Sequence, residues 1–298
     1  MLKLELSIFY ASYLVFPFII FLFYKARNWK NFKLYHKIIF VIFSLLSIFF
    51  IDNRFIEPNI LTIQKTEIKI GLEQKVKIAF ISDIHLWIFK KWDFLEKIVE
   101  KTNKISELDY VFIAWDLTYL YSDYEKKEIE ELFLEIKNFK VPVYWVLWNH
   151  DVEKPWPKVR EELKKVMTKF WANFLNNDFV KLKWFTLVWL WDNWGGEDDV
   201  SILDNFKETD KIIVLTHNPD TTLKYKNKNA DLTLCWHTHG GQIKIPFLYK
   251  KIIPTFWDFD EWLTEEENTT LFITSWVWII WLPFRFLNPP VIDILEIK

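Results

Sequence analysis

Five short polar blocks hold most of the chain's side chains that could bind metal ions or move protons. They are Asp83-Ile84-His85, Trp115-Asp116, Trp148-Asn149-His150-Asp151, Thr216-His217 and Trp236-His237-Thr238-His239-Gly240-Gly241. Five of the six histidines lie in these blocks, and only His36 does not. Oxygen and imidazole donors of this kind suit Mn, Fe, Zn or Mg. Cys235 is the only thiol, so the set is not that of a structural thiolate zinc site. In Asp83-x-His85 and His237-x-His239, alternate residues of an extended backbone project the same way, so each pair could reach one ion. A carboxylate such as Asp116 can bridge two cations held about 3.5–4 Å apart. Asn149 offers a neutral amide oxygen where further charge is unwanted. Taken singly, most blocks have ordinary readings: a surface pair for Asp83 and His85, a turn for Asn149-His150-Asp151, a helix cap for His217. His237 and His239, next to two glycines, favour function even alone, and the ordered series points to a pair of metal ions.

Each block needs an element to present it, and each follows an apolar run. Strands are predicted over 76–82, 109–114, 141–147, 211–215 and 231–234, with helices over 93–105, 124–139 and 158–170 between the early ones. Further strands are predicted over 270–274 and 291–297, and an edge strand is expected in the linker 52–75. Residues 176–210 give no clear reading apart from a polar loop at 192–199. Strands alternating with helices predict an α/β sheet, and loops at the carboxyl ends of such strands are where these sheets bind ligands.

The series Asp-Ile-His, Trp-Asp, Trp-Asn-His-Asp, Thr-His and Trp-His-Thr-His resembles the calcineurin-like metallophosphoesterase superfamily over about residues 75–298. The tail 275–286 resembles its branch of membrane-anchored or exported bacterial phosphodiesterases, some acting on UDP-2,3-diacylglucosamine. The resemblance implies a four-layer α/β/β/α sandwich. It assigns Asp83, His85 and His239 to one metal, Asn149, His217 and His237 to a second, and Asp116 to both. His150 would contact the phosphate and protonate the leaving oxygen, with Asp151 orienting it. The implied reaction is hydrolysis of a phosphate ester, a phosphodiester in this branch, by a hydroxide held between two divalent ions, Mn, Fe or Zn. Asp116-Leu117-Thr118 lacks a second acidic residue that some branches carry three positions on.

The composition is unusual. There are 18 Trp and 5 Gly in 298 residues, whereas Gly ordinarily makes up about 7% of a chain. Trp115, Trp148 and Trp236 stand where backbone should approach a ligand, positions that suit Gly, and the family has Gly at all three. Its membrane branch also has Gly at 276, 278 and 281. The expectation is that many of these Trp are Gly in the organism, through a recoded stop codon; a truly Trp-rich protein is the competing reading.

Residues Leu6–Tyr24 are nearly all apolar and long enough to cross a bilayer, and Ile38–Ile51 is a second, shorter apolar run. Lys25, Arg27, Lys30, Lys33 and Lys37 lie between them, which by the positive-inside rule places that loop in the cytoplasm. With two spans, the preferred reading, the rest lies outside the membrane; with one span, the second run being re-entrant or interfacial, it lies inside. The expected organisation is an anchor of two transmembrane helices at 1–55, a linker and edge strand at 56–75, and a catalytic domain at 76–298. Expected partners are the bilayer and a phosphate ester, lipid-linked or from the cell envelope. A formal net charge of −2 gives no footprint for nucleic acid. The single cysteine excludes an internal disulfide. Arg285, with Phe284 and Phe286, either shapes a substrate pocket or forms a buried loop with one surface Arg. Two other functions stay open: a non-catalytic membrane-anchored binding protein that keeps the fold, favoured if the three loop Trp are real, and a mononuclear hydrolase, for which seven ligands are too many.

Overall fold

The computed structural model describes residues 2–82, 84, 92–114, 129–146, 160–175, 177–191, 199–225, 228–236, 243–246, 263–266, 269–274, 277 and 283–298. Three N-terminal helices come first: α1 (Leu2–Ser12), α2 (Val15–Ala26) and α3 (Leu34–Ile51), the last continued by helical turns to Asn59. By length and composition, Leu6–Ala26 and Leu34–Asn59 are long and apolar enough to cross a membrane. The second is longer than its apolar run alone suggests, because Leu34 and Tyr35 lengthen it at one end and the docked turns 52–59 at the other.

Two six-stranded mixed sheets follow. The first holds β1 (Thr62–Ile68), β2 (Val76–Ser82), β3 (Tyr110–Ala114), β4 (Val143–Val146), β5 (Ala172–Phe174) and β12 (Val291–Ile297), in the order β1-β12-β2-β3-β4-β5. β2 to β5 are parallel, and β12 runs antiparallel to β2. The second holds β6 (Asp178–Lys181), β7 (Thr186–Trp189), β8 (Ile212–Leu215), β9 (Leu232–Cys235), β10 (Leu263–Glu266) and β11 (Thr269–Ile273), in the order β10-β11-β9-β8-β7-β6. Here β7, β8, β9 and β11 are parallel.

The sheets pack face to face, and the alternation of side chains shows how. In β7 and β8, Leu187, Trp189, Ile213 and Leu215 join the large core cluster that also contains Phe80, Phe112 and Ile294 of the first sheet. Their neighbours Val188, Leu190, Ile212 and Val214 belong to a separate cluster with Leu203, from the short helix 200–205. Strands buried on both faces read as continuous apolar runs. Phe80 meets Phe272 at 6.4 Å and Trp236 at 5.9 Å between ring centroids, and Phe185 meets Tyr110 at 6.1 Å. Such pairs add about 0.5–1.5 kcal/mol each beyond their burial.

Helices α4 (Trp92–Asn103) and α6 (Arg160–Lys169) match the predicted spans. The helix predicted over 124–139 differs: within its described part, α5 (Ile129–Leu132) gives way to a 3₁₀ turn at Leu134–Asn138. Ile129, Leu132, Phe133 and Ile136 are all buried there, and the tighter winding after Phe133 keeps them on one side. The edge strand of the linker is β1, which pairs in parallel with β12. Strands β5, β6, β7 and β10 had no counterpart in the sequence reading.

Candidate functional site

Among the predicted site residues, His217 is the one the structure describes. Asp83, His85, Asp116, Asn149, His150, Asp151, His237 and His239 lie outside the described residues, as do Trp115 and Trp148. Among the described residues no group of three or more His, Cys, Asp and Glu comes together. What is described is the scaffold on which the blocks begin. Asp83 directly follows β2, Trp115 directly follows β3, and the block at 148 begins just beyond β4. Thr216 directly follows β8, and Trp236 directly follows β9. β2, β3 and β4 are parallel neighbours in one sheet, and β8 and β9 are parallel neighbours in the other.

The ends of β2 and β9 are brought together across the two sheets. The Ser82 carbonyl, last in β2, accepts a hydrogen bond from Val277 N at 3.2 Å. Val277 follows β11, whose strand pairs with β9. Thr274 N donates to the Cys235 carbonyl at 3.0 Å, and Trp236 packs against Phe80 of β2.

His217 is buried, only 3% exposed. Its backbone is pinned: Thr216 N donates to Leu234 O at 3.1 Å, and His217 O accepts from Trp236 N at 3.2 Å. The cap expected for this region is supplied by its neighbour, since Asn218 Oδ1 accepts from Asp220 N at 2.9 Å. The imidazole of His217 lies edge-on to the Trp236 indole, 5.5 Å between centroids. Cys235 is buried in β9, and its Sγ donates to Phe272 O at 3.6 Å. Burial, with Asp220 as a lesser cause, pushes its thiol well above the usual range.

Two features escaped the sequence reading. The first is Asp293, whose fully buried carboxyl accepts a hydrogen bond from Thr274 Oγ1. A lone Asp inside the apolar strand Val291–Ile297 was its signal. The second is the loop 283–288. The loop is only partly buried, with Leu287 59% exposed, but Arg285 is no surface residue: it is 1% exposed, and its Nη1 donates to Asn288 O at 2.5 Å. Phe284 and Phe286 pack on Phe50 and Phe49 of the second apolar helix, each pair at 5.1 Å. The same loop holds the segment that follows the last polar block, because Lys244 N donates to Phe286 O at 2.9 Å and Ile243 bridges to Phe286.

The chain is similar to several known proteins. An uncharacterized metallophosphoesterase of Campylobacter jejuni is 29% identical over 90% of this chain and 73% of its own length. The phosphodiesterase YaeI of Escherichia coli is 43% identical over a shorter stretch, 14% of this chain and 16% of that one. The NAD nucleotidase of Haemophilus influenzae superposes over 69% of this chain and 45% of its own, with a TM-score of 0.46 and 13% identity. The family model for calcineurin-like phosphoesterases matches residues 76–241, more than half of the sequence. The chain therefore belongs to the calcineurin-like phosphoesterase family and is a hydrolase acting on phosphoric ester bonds.

Proposed function

We propose that this protein is a membrane-anchored phosphodiesterase with a two-metal site. The carrying observation is that strand ends of two different sheets meet, with Ser82 O bonded to Val277 N and Phe272 of β11 packed on Phe80 of β2. Five polar blocks start from such ends. The helices beside the first sheet and the 200–205 turn outside the second fit a four-layer α/β/β/α sandwich. The domain would run from 76 to 298, after an anchor at 1–55 and a linker at 56–75.

The residues fit a pair of divalent cations. His217 is buried at the tip of β8 with its backbone held on both sides, and the other candidates are oxygen and nitrogen donors. Asp83, His85 and His239 would hold one ion, Asn149, His217 and His237 the other, and Asp116 both. When bound, the cations supply Lewis-acid stabilisation of the phosphoryl charge and an acidified water as nucleophile. His150 donates a proton to the leaving ester oxygen as the P–O bond breaks, and Asp151 keeps its imidazole oriented.

Two apolar helices of 21 and 26 residues, with almost none of their surface buried, support a membrane hairpin. The basic turn at 25–37 supports a cytoplasmic loop and an extracytoplasmic domain. The end of the second helix touches the loop that carries Ile243, and this nearness supports a phosphate ester presented at the membrane surface, lipid-linked or from the envelope. The short match to a named phosphodiesterase supports a diester over a monoester.

The recoding of Trp as Gly belongs to the same reading. Trp171 supports it: its φ is +64° and its side chain is 87% exposed, so a bulky residue occupies a left-handed position after a helix, where Gly is usual. The reading of a non-catalytic binding protein rests on the opposite case, in which the Trp236 indole permanently occupies the space beside His217.

Hydrolysis of a chromogenic phosphodiester with Mn, in protein carrying Trp115→Gly, Trp148→Gly and Trp236→Gly, separates the readings. Turnover with two metals per chain is expected, and metal-free, inactive protein would defeat the proposal. His150→Ala should keep both metals and slow turnover by about 10²–10³-fold; loss of metal instead would remove His150 from its role.

A further inference from the structure

We propose that the end of the second apolar helix, residues 49–57, positions the chain at 243–244, where it leaves the last polar block of the site, and is not merely a tether. This rests on the metal-site reading above. Phe49 and Phe50 lie near the end of α3, Asn53 in the π turn Asp52–Ile56 that continues it, and Glu57 in the 3₁₀ turn Glu57–Asn59. Together they grip the loop 283–288. The Phe49–Phe286 and Phe50–Phe284 pairs lie at 5.1 Å. Asn53 O accepts from Arg285 N at 2.8 Å, and Glu57 Oε1 accepts from Asn288 N at 2.5 Å. Asn53, Glu57, Arg285 and Asn288 are all buried, so removing an acceptor here would strand a donor away from water.

The gripped loop in turn holds the chain leaving the site. Phe286 O accepts from Lys244 N, and Phe286 pairs with Ile243, the residue immediately after Gln242. At the other end, Trp236 is buried and bonded to His217 O. Trp236 and Ile243, on either side of the stretch 237–242 with its two proposed metal ligands, are therefore both anchored. Trp236 rests on the sheets, and Ile243 on the loop 283–288 that the apolar helix grips. Fixing the chain on both sides of two ligands limits where they can be placed, and catalytic geometry tolerates little misplacement. Glu57, Asn53 and Phe49 are thus positioning residues for the reaction.

The test uses the full chain in detergent micelles, where tethering to a bilayer plays no part. Hydrogen exchange of peptides from 237–246 is compared in Glu57→Ala, Glu57→Gln and Phe49→Ala, along with kcat and KM on a soluble phosphodiester with Mn. Glu57→Ala and Phe49→Ala should speed exchange over 237–246 and lower kcat by about tenfold, leaving KM and the exchange of β2 and β3 near parental values. Glu57→Gln keeps an acceptor oxygen and should restore both quantities. If Glu57→Ala fails to fold, Phe49→Ala decides, since Phe49 is half exposed. Parental exchange over 237–246 despite a loosened 283–290, or unchanged kcat despite faster exchange, overturns the proposal. A parent protein that binds no metal and hydrolyses nothing would defeat the phosphodiesterase reading instead, and the exchange data alone would then decide this one.

Discussion

The Asp293 carboxyl sits in β12 between Gln64 of β1 and Phe80 of β2, with its side chain bonded to Thr274 from the other sheet. Burial raises its pKa from 3.8 to about 7, a shift that the Thr274 hydrogen bond only partly opposes. The folded pKa thus lies above the unfolded one. The stability this group contributes is full below about pH 4, is lost as pH rises towards 7, and is flat beyond. The shift corresponds to an upper bound on the order of 4 kcal/mol. Asp293→Asn should therefore melt above the parent at pH 8 and no higher than the parent at pH 4.5; an equal difference at the two pH values would sink this account. Trp171 gives a second residue-scale test. A non-Gly residue in the left-handed region costs about 1–2 kcal/mol, and its exposed ring has little burial to offset that, so Trp171→Gly should stabilise by about 1 kcal/mol. A lower melting temperature would count against Gly at this position in the native protein. That the polar blocks begin at strand ends was legible in the sequence, because Asp, His and Asn stand out just after apolar runs, and among the candidate ligands His217 is the one described. Asp293 was not, because one acid in an apolar strand gives no sign of which face it occupies.

At the scale of elements, β2, β12 and the strand pairs around them were legible to within a residue or two, since each is a compact apolar run bounded by polar or turn residues. β7 was not: Thr186–Trp189 is short and buried throughout, and a brief apolar run carries no period to separate strand from helix. The break in the helix predicted at 124–139 was hidden for a related reason. The buried stripe Ile129, Leu132, Phe133, Ile136 is compatible with α or 3₁₀ winding, and tertiary packing chooses between them. The pairing of sheets was illegible as well, because which strand end meets which depends on contacts such as Ser82 O with Val277 N across 195 positions of sequence. That pairing makes a prediction at the same scale. Each proposed ion would take ligands from both sheets and Asp116 would be shared by the two ions, so Asp116→Asn should lower metal content at both positions, whereas His217→Ala should cost about one equivalent of two. Elemental analysis of desalted protein reads this, and full occupancy in Asp116→Asn would exclude a bridging role.

The whole molecule joins an apolar hairpin to a two-sheet hydrolase through contacts that the sequence places far apart: Asn53 with Arg285, Glu57 with Asn288, Thr62 with Pro290. These bonds fix the domain against the end of the second helix, so in the proposed membrane reading the side on which that helix emerges would be the side on which the site works. Between Glu5 and Asp52 the chain contains no acidic residue, while Lys25, Arg27, Lys30, Lys33 and Lys37 crowd the turn. In the proposed reading a cytoplasmic turn avoids moving five positive charges across the bilayer, and two crossings would leave residues 60–298 outside. Protease added to intact spheroplasts should remove the domain while sparing an N-terminal fragment that includes the turn. If Leu6–Ala26 crosses alone and Leu34–Asn59 lies along the surface, the domain should instead be protected until the cells are lysed. Replacing Lys25, Arg27, Lys30, Lys33 and Lys37 by Gln should weaken the preference and yield a mixed, partly protected population. Complete protection of the parent protein would place the hydrolase inside the cell and remove the envelope as the source of its substrate.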